Sequence, residues 1–171
     1  MKTLRKPLIA AAVLYAGYIV LVLTSIDHLP ERIATHFSGT GIPDGWMSRS
    51  GYIRIALLFG IFFPLSFPAA CLFLRLLPNS AFNLPRRDYW LAPDRRVSTL
   101  DDFLRRSLWL SCMSIAFVGG VHYLVLRSNQ LSQPRLSTGA VLLIAGCYVA
   151  VILVGLILFL RHYGDGAVDR V

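Results

Sequence analysis

Four long stretches of the chain lack any charged side chain, and they limit its possible folds more than any other feature. They cover residues 7–26, 55–74, 107–126 and 137–160. About 20 residues of helix cross the roughly 30 Å hydrocarbon core of a bilayer. Only 15% of the 171 residues are charged, whereas soluble domains contain about 25%. We therefore predict an all-α, polytopic membrane protein with four transmembrane helices in a bundle.

These helices divide the chain into a single integral membrane domain, residues 1–171. The helices are expected at about residues 7–26, 53–76, 100–126 and 137–161, with an ordered outer loop at 27–52 and an inner loop at 77–99. Three cysteines, Cys71, Cys112 and Cys147, fall inside the predicted spans. An odd set of buried cysteines argues against a disulfide framework or a metal site. We predict that they are packing residues, and we expect no cofactor.

The distribution of basic residues predicts the orientation in the membrane. Twelve of the 17 lysines and arginines lie before the first helix, between the second and third, or after the fourth. Since loops rich in Lys and Arg stay in the cytoplasm, both termini and the inner loop are expected there. The chain would be a multi-pass protein of the plasma membrane. Its net charge of +8 would attract anionic lipid headgroups to the cytoplasmic arginines, so we expect no nucleic-acid partner.

The outer loop has the composition of a shaped structure. Residues 29–49 contain two prolines, three glycines, a histidine, both signs of charge and a tryptophan. Pro43, Asp44 and Gly45 predict a turn, because proline presets φ, Asp caps its own backbone and Gly accepts positive φ. Gly41, with Gly39, allows another tight bend. We expect Phe37 and Trp46 to fold back onto the helix ends.

These residues make the outer loop the best candidate for a recognition site. The candidates are His36, Phe37, Gly41, Pro43, Asp44, Gly45 and Trp46. Metal binding is a weaker alternative for the loop, since no HExxH or CxxC spacing brings ligands together there. A hydrogen-bonding role for His36 is favoured over a metal-binding role, and we predict no metal site.

The inner loop is the second informative segment. Its three prolines, Pro78, Pro85 and Pro93, argue against a continuous helix. Tyr89 and Trp90 lie beside arginines, a pattern typical of an interfacial anchor.

The third helix is predicted to begin around Leu100, in the cytoplasm. Two capping boxes are expected there, Ser98 with Asp101 and Thr99 with Asp102. Two i,i+4 ion pairs are expected one turn further, Asp101 with Arg105 and Asp102 with Arg106. In the second helix, Pro64 and Pro68 predict a kink, which is either a structural bend or a hinge for transmitting a signal.

Within the four stretches that lack charged side chains, His122 is the single imidazole group. It lies near the outer end of the third helix, and intramembrane ionisable residues are functional candidates. The spans contain no mid-membrane Asp, Glu, Lys or Arg, which argues against an ion-coupled transporter. No nucleophile–base constellation or paired carboxylates are recognisable. We therefore predict that the protein is not an enzyme.

Two segments resemble the signatures of a known bacterial family. The first contains Leu29, Pro30, Ile33, His36, Phe37, Gly41, Pro43, Asp44, Gly45 and Trp46, and the second contains Asn83, Leu84, Pro85, Tyr89, Trp90 and Pro93. They are similar to L-P-x-x-I-P-x-H-F-x-x-x-G-x-P-D-G-[WY] and N-L-P-x-x-x-Y-W-x-x-P of domain of unknown function 1648, whose relatives include SdpI-type toxin immunity proteins. The chain departs from the pattern at Ala34, where the family has a second proline, and the basic residue that closes the segment is Arg49.

The resemblance implies a receptor or immunity-like protein that recognises a peptide or lipid-like ligand through the outer loop. A peptide toxin or another membrane protein would be its partner, and the kinked second helix would connect the two loops. The alternative is an accessory or structural subunit of a larger membrane complex, which the faces of small residues on the helices favour. A metal-dependent membrane enzyme ranks last.

Overall fold

The computed structural model describes residues 2–164, and most of them are helical. The long helices are α1 (Lys2–Thr24), α2 (Arg49–Leu74), α4 (Arg96–Asn129) and α5 (Thr138–Tyr163), and α3 (Arg87–Trp90) is a single short turn. All four long helices are long and apolar enough to cross a membrane. The prediction of four helices with the length and composition of membrane spans is thus confirmed. Arg170, one of the residues used to predict the orientation, lies outside the described residues.

A two-stranded antiparallel sheet lies between α1 and α2, so the expectation of an all-α fold is incomplete. Strand β1 (Arg32–Phe37) pairs with β2 (Pro43–Ser48), and we call the two strands with their turn the hairpin. The sequence pattern did not predict β1, because its buried residues, Ile33 and Ala34, are adjacent. A regular half-buried strand alternates buried and exposed residues.

The four long helices alternate in direction, with α4 packed against α1, α2 and α5. The hairpin joins α1 to α2, and the connection from α4 to α5 contacts its turn, where the Leu136 amide donates to the Gly41 carbonyl at 3.0 Å. We call this the hairpin end of the bundle. At the opposite end, Tyr163 of α5 meets Trp90 of the connection between α2 and α4.

The centre of the bundle is built from α1, α2 and α4. Tyr18, Val22, Ile115 and Val118 form a buried cluster there. Gly60 of α2 allows the close approach of Tyr18, because a Cβ at this position would lie 2.3 Å from the phenol ring. The Tyr18 hydroxyl donates to the Ala56 carbonyl at 2.7 Å. A small residue in α2 thereby makes room for an aromatic ring of α1.

Helix α5 packs lightly against the rest of the bundle. No residue of its most apolar 18-residue stretch is buried. It contacts α4 through Tyr148, whose hydroxyl lies 2.7 Å from that of Ser114 and whose ring stacks on Phe117. Such an exposed apolar surface is stable in lipid, where side chains need no burial from water.

The start of α4 differs from the prediction. The helix begins at Arg96, and its N-terminal flanking residue, Arg95, makes no side-chain cap. The hydroxyls of Ser98 and Thr99 instead donate to the carbonyls of Arg95 and Trp90, at 2.7 and 2.8 Å. The two predicted capping boxes are therefore wrong, because the chain before Ser98 is already helical.

One of the two predicted ion pairs on α4 is present. Asp102 binds both Arg106, at 2.6 Å, and Arg105. Asp101 pairs with Arg75 of the preceding segment instead of with Arg105. The predicted pair between Asp101 and Arg105 is wrong because a tertiary contact replaces it.

Helix α2 runs without a break from Arg49 to Leu74, and Pro64 and Pro68 are both buried within it. These two prolines therefore pack against the bundle. They do not terminate the helix.

Candidate recognition site in the hairpin

The turn of the hairpin lies before Pro43. Ser38 and Ile42 close it, with the Ser38 amide donating to the Ile42 carbonyl at 2.8 Å and the Gly41 amide donating to the Ser38 carbonyl at 2.8 Å. The predicted turn at Pro43–Gly45 is wrong, because these residues belong to β2. The bend predicted at Gly39 and Gly41 is confirmed.

Gly41 is required in this turn for two reasons. Its φ of +79° is a conformation that L side chains rarely adopt. A Cβ there would also lie 2.2 Å from the Leu136 carbonyl oxygen. The glycine thus permits the backbone contact between the hairpin and the start of α5, where the Thr138 hydroxyl also donates to the Gly39 carbonyl at 3.3 Å.

His36 and Asp44 form an exposed pair across the two strands. The strand register is irregular between Ala34 and His36 and again between His36 and Phe37, so that His36 lies opposite Gly45 and Asp44 has no partner residue on β1. The His36 Nδ1 and Asp44 Oδ1 atoms are 2.5 Å apart. Their side chains remain 76% and 49% exposed, so the pair faces the surroundings of the bundle.

Gly45 makes this arrangement possible. A Cβ at Gly45 would lie 2.7 Å from the His36 Cβ. The imidazole therefore crosses over the glycine to reach Asp44. Three residues that the sequence motif singles out, His36, Asp44 and Gly45, thus form one structural unit.

The hairpin is attached to the helices by side chains that the sequence pattern did not single out. Asn129, at the end of α4, binds both backbone groups of the buried Ala34: its Oδ1 accepts from the amide at 2.8 Å and its Nδ2 donates to the carbonyl at 2.9 Å. Nothing in the local sequence distinguishes this asparagine from a solvated residue at a helix end.

Arg49, at the other side of the hairpin, closes the connection between α1 and β1. Its guanidinium donates to the carbonyls of Ile26 and Leu29, at 3.3 and 3.0 Å. Its amide donates to the Glu31 carbonyl at 2.8 Å. Beneath these contacts, a second buried cluster joins the hairpin to α2 and α4, made of Leu29, Ile33, Tyr52, Val125 and Leu126.

Phe37 and Trp46 do not have the same environment. Phe37 is half-buried and lines a cavity against α4 and α5, as predicted for a side chain that folds back onto the helices. Trp46 remains 42% exposed, with the Arg32 guanidinium 5.6 Å from its ring centre. The prediction for Trp46 is therefore wrong, since its ring faces outward beside Arg32.

Two hollows border the hairpin turn. One, of about 200 Å³, lies between β1, α4 and α5 and is mostly apolar. The other, of about 530 Å³, is lined by Ile42, Pro43 and Trp46 of the hairpin and by residues 132–135. Leu136, whose amide binds the Gly41 carbonyl, lines the smaller hollow and the preceding Arg135 lines the larger one, so the two hollows adjoin along this connection.

His122 belongs to a buried hydrogen-bonding network and not to the hairpin surface. Its Nε2 lies 3.0 Å from the Ser25 hydroxyl, and its Nδ1 lies 2.8 Å from the Tyr52 hydroxyl. Because Ser25 already donates to the Val22 carbonyl, a neutral His122 donates from Nε2 and accepts from Tyr52. Both ring nitrogens are satisfied, and His122 is only 2% exposed. This geometry is that of a structural residue joining α1, α2 and α4.

At the opposite end, Trp90 is the member of the second motif with the most contacts. Its indole donates to the Tyr163 carbonyl at 3.3 Å and its ring packs edge-on against that of Tyr163. Tyr89 lies beneath the Arg95 guanidinium, 4.0 Å from its ring centre. Asn83, Pro85 and Pro93 are exposed. The two aromatic rings therefore bind other parts of this chain.

Four residues outside the motif organise this end of the bundle. Arg96 donates to the Leu77 carbonyl and to Asn79 Oδ1, and the Asn79 amide donates to the Leu91 carbonyl. The buried Tyr163 donates to Asp102 Oδ2 at 2.8 Å. Sequence reasoning missed these bonds because each one joins residues that are at least 12 positions apart in the chain.

Within residues 2–164, no group of three or more His, Cys, Asp or Glu side chains is arranged to hold a metal ion. Cys71, Cys112 and Cys147 are free thiols and differ in burial, since Cys112 is buried and Cys147 is exposed on α5. The described residues therefore contain no constellation of ligands for a metal cofactor.

One comparison with known proteins gave a match. No curated protein and no solved structure matches the chain. Residues 9–63 match the model of a family described as "Domain of unknown function (DUF1648)". The matched segment contains most of α1, the whole hairpin and the first part of α2. The similarity to this domain of unknown function thus coincides with the unit that forms the candidate site.

Proposed function

We propose that the protein is a non-enzymatic membrane receptor of the immunity type, which recognises a peptide or lipid-like ligand outside the cytoplasm through the hairpin. The observation that supports it most is the exposed pair of His36 and Asp44 on a hairpin anchored to three helices. The distribution of basic residues supports an outward-facing hairpin.

The chemistry of the exposed residues suits recognition. Asp44 accepts a hydrogen bond from Nδ1 of His36, so a neutral imidazole presents Nε2 to a ligand as an acceptor. Trp46 adds an exposed aromatic surface beside this pair. Since two bulges and Gly45 hold the pair in place, little side-chain entropy is lost when a ligand binds.

A contact path leads from this site to the arginine-rich end of the bundle. Helix α5 contacts the hairpin turn through Thr138, beside the contact that Leu136 of the preceding connection makes, and it contacts Trp90 through Tyr163. We therefore favour α5 over α2 as the connection between the two motifs. The segment around Trp90 would then recruit a cytoplasmic partner or bind anionic lipid headgroups.

The experiment is a protection assay with bacteria that express the chain and are challenged with a secreted peptide toxin. The wild type should protect the cells, and the double variant His36→Ala with Asp44→Ala should lose protection at equal abundance in the membrane. The matched control is Asp27→Ala with His28→Ala, because these two exposed residues lie at the same end of the bundle and are not part of the hairpin. Full protection by the His36 and Asp44 variant, or no protection by the wild type, would refute the proposal.

A further inference from the structure

The smaller hollow at the hairpin end is a cleft between α4 and α5, beside β1. Helices α4 and α5 form the walls, with Val121 and Leu124 on one side and Val141 and Ile144 on the other. They approach closely at Gly120, where a Cβ would lie 3.3 Å from Ile144. Phe37 of β1 also lines the cleft. Its lining is apolar apart from Thr35 and His36, so the cleft suits a hydrocarbon group.

The position of the cleft indicates where that hydrocarbon would come from. Val121 lies eight residues before the end of α4 at Asn129, which is about 12 Å along the helix axis. Both walls belong to helices that are apolar enough to span a membrane. A cleft at this depth faces the outer part of the hydrocarbon core, where acyl chains are its neighbours.

An acyl chain gains little by moving from the bilayer into an apolar cleft, since both environments are equally apolar. Selective binding therefore needs a polar contact. Leu136 lines the cleft, and the residue before it is Arg135. Arg135 lines the larger hollow, together with Ser132, Gln133 and Trp46. Its guanidinium makes no hydrogen bond or ion pair with any residue between 2 and 164. It is thus an exposed positive charge that lines the larger hollow, one residue before Leu136 of the apolar cleft.

We infer that the two hollows together bind one anionic glycerophospholipid of the surrounding bilayer, with an acyl chain in the cleft and the phosphate headgroup at Arg135. The inference rests on the proposed function, since it names the class of the lipid-like ligand. The combination of an apolar cleft with an unpaired guanidinium favours this amphiphile over a peptide, because the cleft offers few hydrogen-bonding groups to a peptide backbone.

The experiment is native mass spectrometry of the full chain, with phosphatidylglycerol and phosphatidylcholine that have identical acyl chains added in turn. The wild type should retain phosphatidylglycerol in preference to phosphatidylcholine. Arg135→Gln should reduce this preference about fivefold, the effect of one basic residue near an anionic headgroup. Its control is Arg127→Gln, because Arg127 is an exposed arginine at the same end that lines neither hollow.

A second variant tests the cleft itself. Ala145 lines the cleft, and Ala145→Phe should fill it and remove the part of the phosphatidylglycerol preference that Arg135→Gln also removes. The control, Ala150→Phe, makes the same change at an exposed position of α5 and should retain lipid as the wild type does. Equal retention of the two lipids by the wild type, or an unchanged preference in Ala145→Phe, would overturn the inference.

The wild-type comparison does not depend on the folding of any variant. The lipid comparison tests the lipid site, whereas the protection assay with the His36 and Asp44 variant tests the proposed function. A negative result in one experiment is therefore distinct from a negative result in the other. A chain that protects cells through the hairpin but shows no lipid preference would refute the lipid site and indicate a peptide ligand.

Discussion

Single glycines decide the geometry of the hairpin, and they are not interchangeable. Gly39 and Gly41 flank the turn two residues apart, but a Cβ at Gly39 would meet nothing within 4 Å, whereas one at Gly41 would collide with Leu136. Gly45 is needed for a different reason, because the His36 side chain passes too close to it to leave room for a Cβ. The sequence shows three similar glycines, and only the contacts around each distinguish their roles.

Replacing Gly41 by alanine should therefore destabilise the hairpin end, and replacing Gly39 should not. Gly41→Ala places a Cβ in the left-handed region, at a cost of about 1–2 kcal/mol, and also forces Leu136 away from the turn. Thermal unfolding in detergent should show a lower midpoint for Gly41→Ala and an almost unchanged one for Gly39→Ala. Equal midpoints for both variants would contradict the role assigned to Gly41.

Among the elements, the hairpin depends on α4 for its attachment. It is a two-stranded sheet, and such a sheet is marginally stable alone. The side chain of Asn129 satisfies both backbone groups of Ala34, which is fully buried. The C-terminal turn of α4 thus supplies β1 with hydrogen bonds of the kind that a third strand would supply.

Asn129→Ala should increase the opening of the hairpin. The substitution leaves a buried amide and a buried carbonyl of Ala34 without a partner, which costs about 1–3 kcal/mol for each unsatisfied group. Hydrogen exchange followed by mass spectrometry should show faster exchange in peptides that cover β1. The matched control is the neighbouring Ser128→Ala, because the buried Ser128 hydroxyl makes no hydrogen bond. Equal exchange in the two variants would show that the bonds of Asn129 do not stabilise the hairpin.

At the scale of the whole molecule, the two motifs lie at opposite ends of the bundle, and α5 contacts both. The charge distribution predicts that the hairpin faces outward and that the segment around Trp90 faces the cytoplasm. An inverted chain would place the proposed recognition surface where a secreted toxin cannot reach it. The membrane orientation is therefore the property on which the proposed function most depends.

Cysteine labelling of intact cells measures this orientation. In a background without Cys71, Cys112 and Cys147, we expect Thr40→Cys to react with a membrane-impermeant maleimide. Ser80→Cys should react only after the membrane is permeabilised. Both positions are exposed, so accessibility to the reagent depends on the side of the membrane. The reverse labelling pattern would exclude an outward-facing hairpin.

The number and approximate extent of the spanning helices follow from the sequence by itself. Lipid offers no hydrogen-bonding partners, so an apolar stretch of sufficient length must satisfy its backbone internally and become a helix. Local turn chemistry also predicted the bend at Gly39 and Gly41. These features depend on neighbouring residues, and the residues involved are visible together in the chain.

The tertiary structure alone decided the features that join distant residues. The bond between Asn129 and Ala34 spans 95 positions and the contact between Trp90 and Tyr163 spans 73. Asp101 pairs with Arg75 across 26 positions rather than with the neighbour on its own helix. The pair of His36 and Asp44 spans only eight positions, but it depends on two shifts of strand register that have no local signature. The contacts between distant residues form only after the spanning helices have packed, because packing determines which polar groups come within bonding distance.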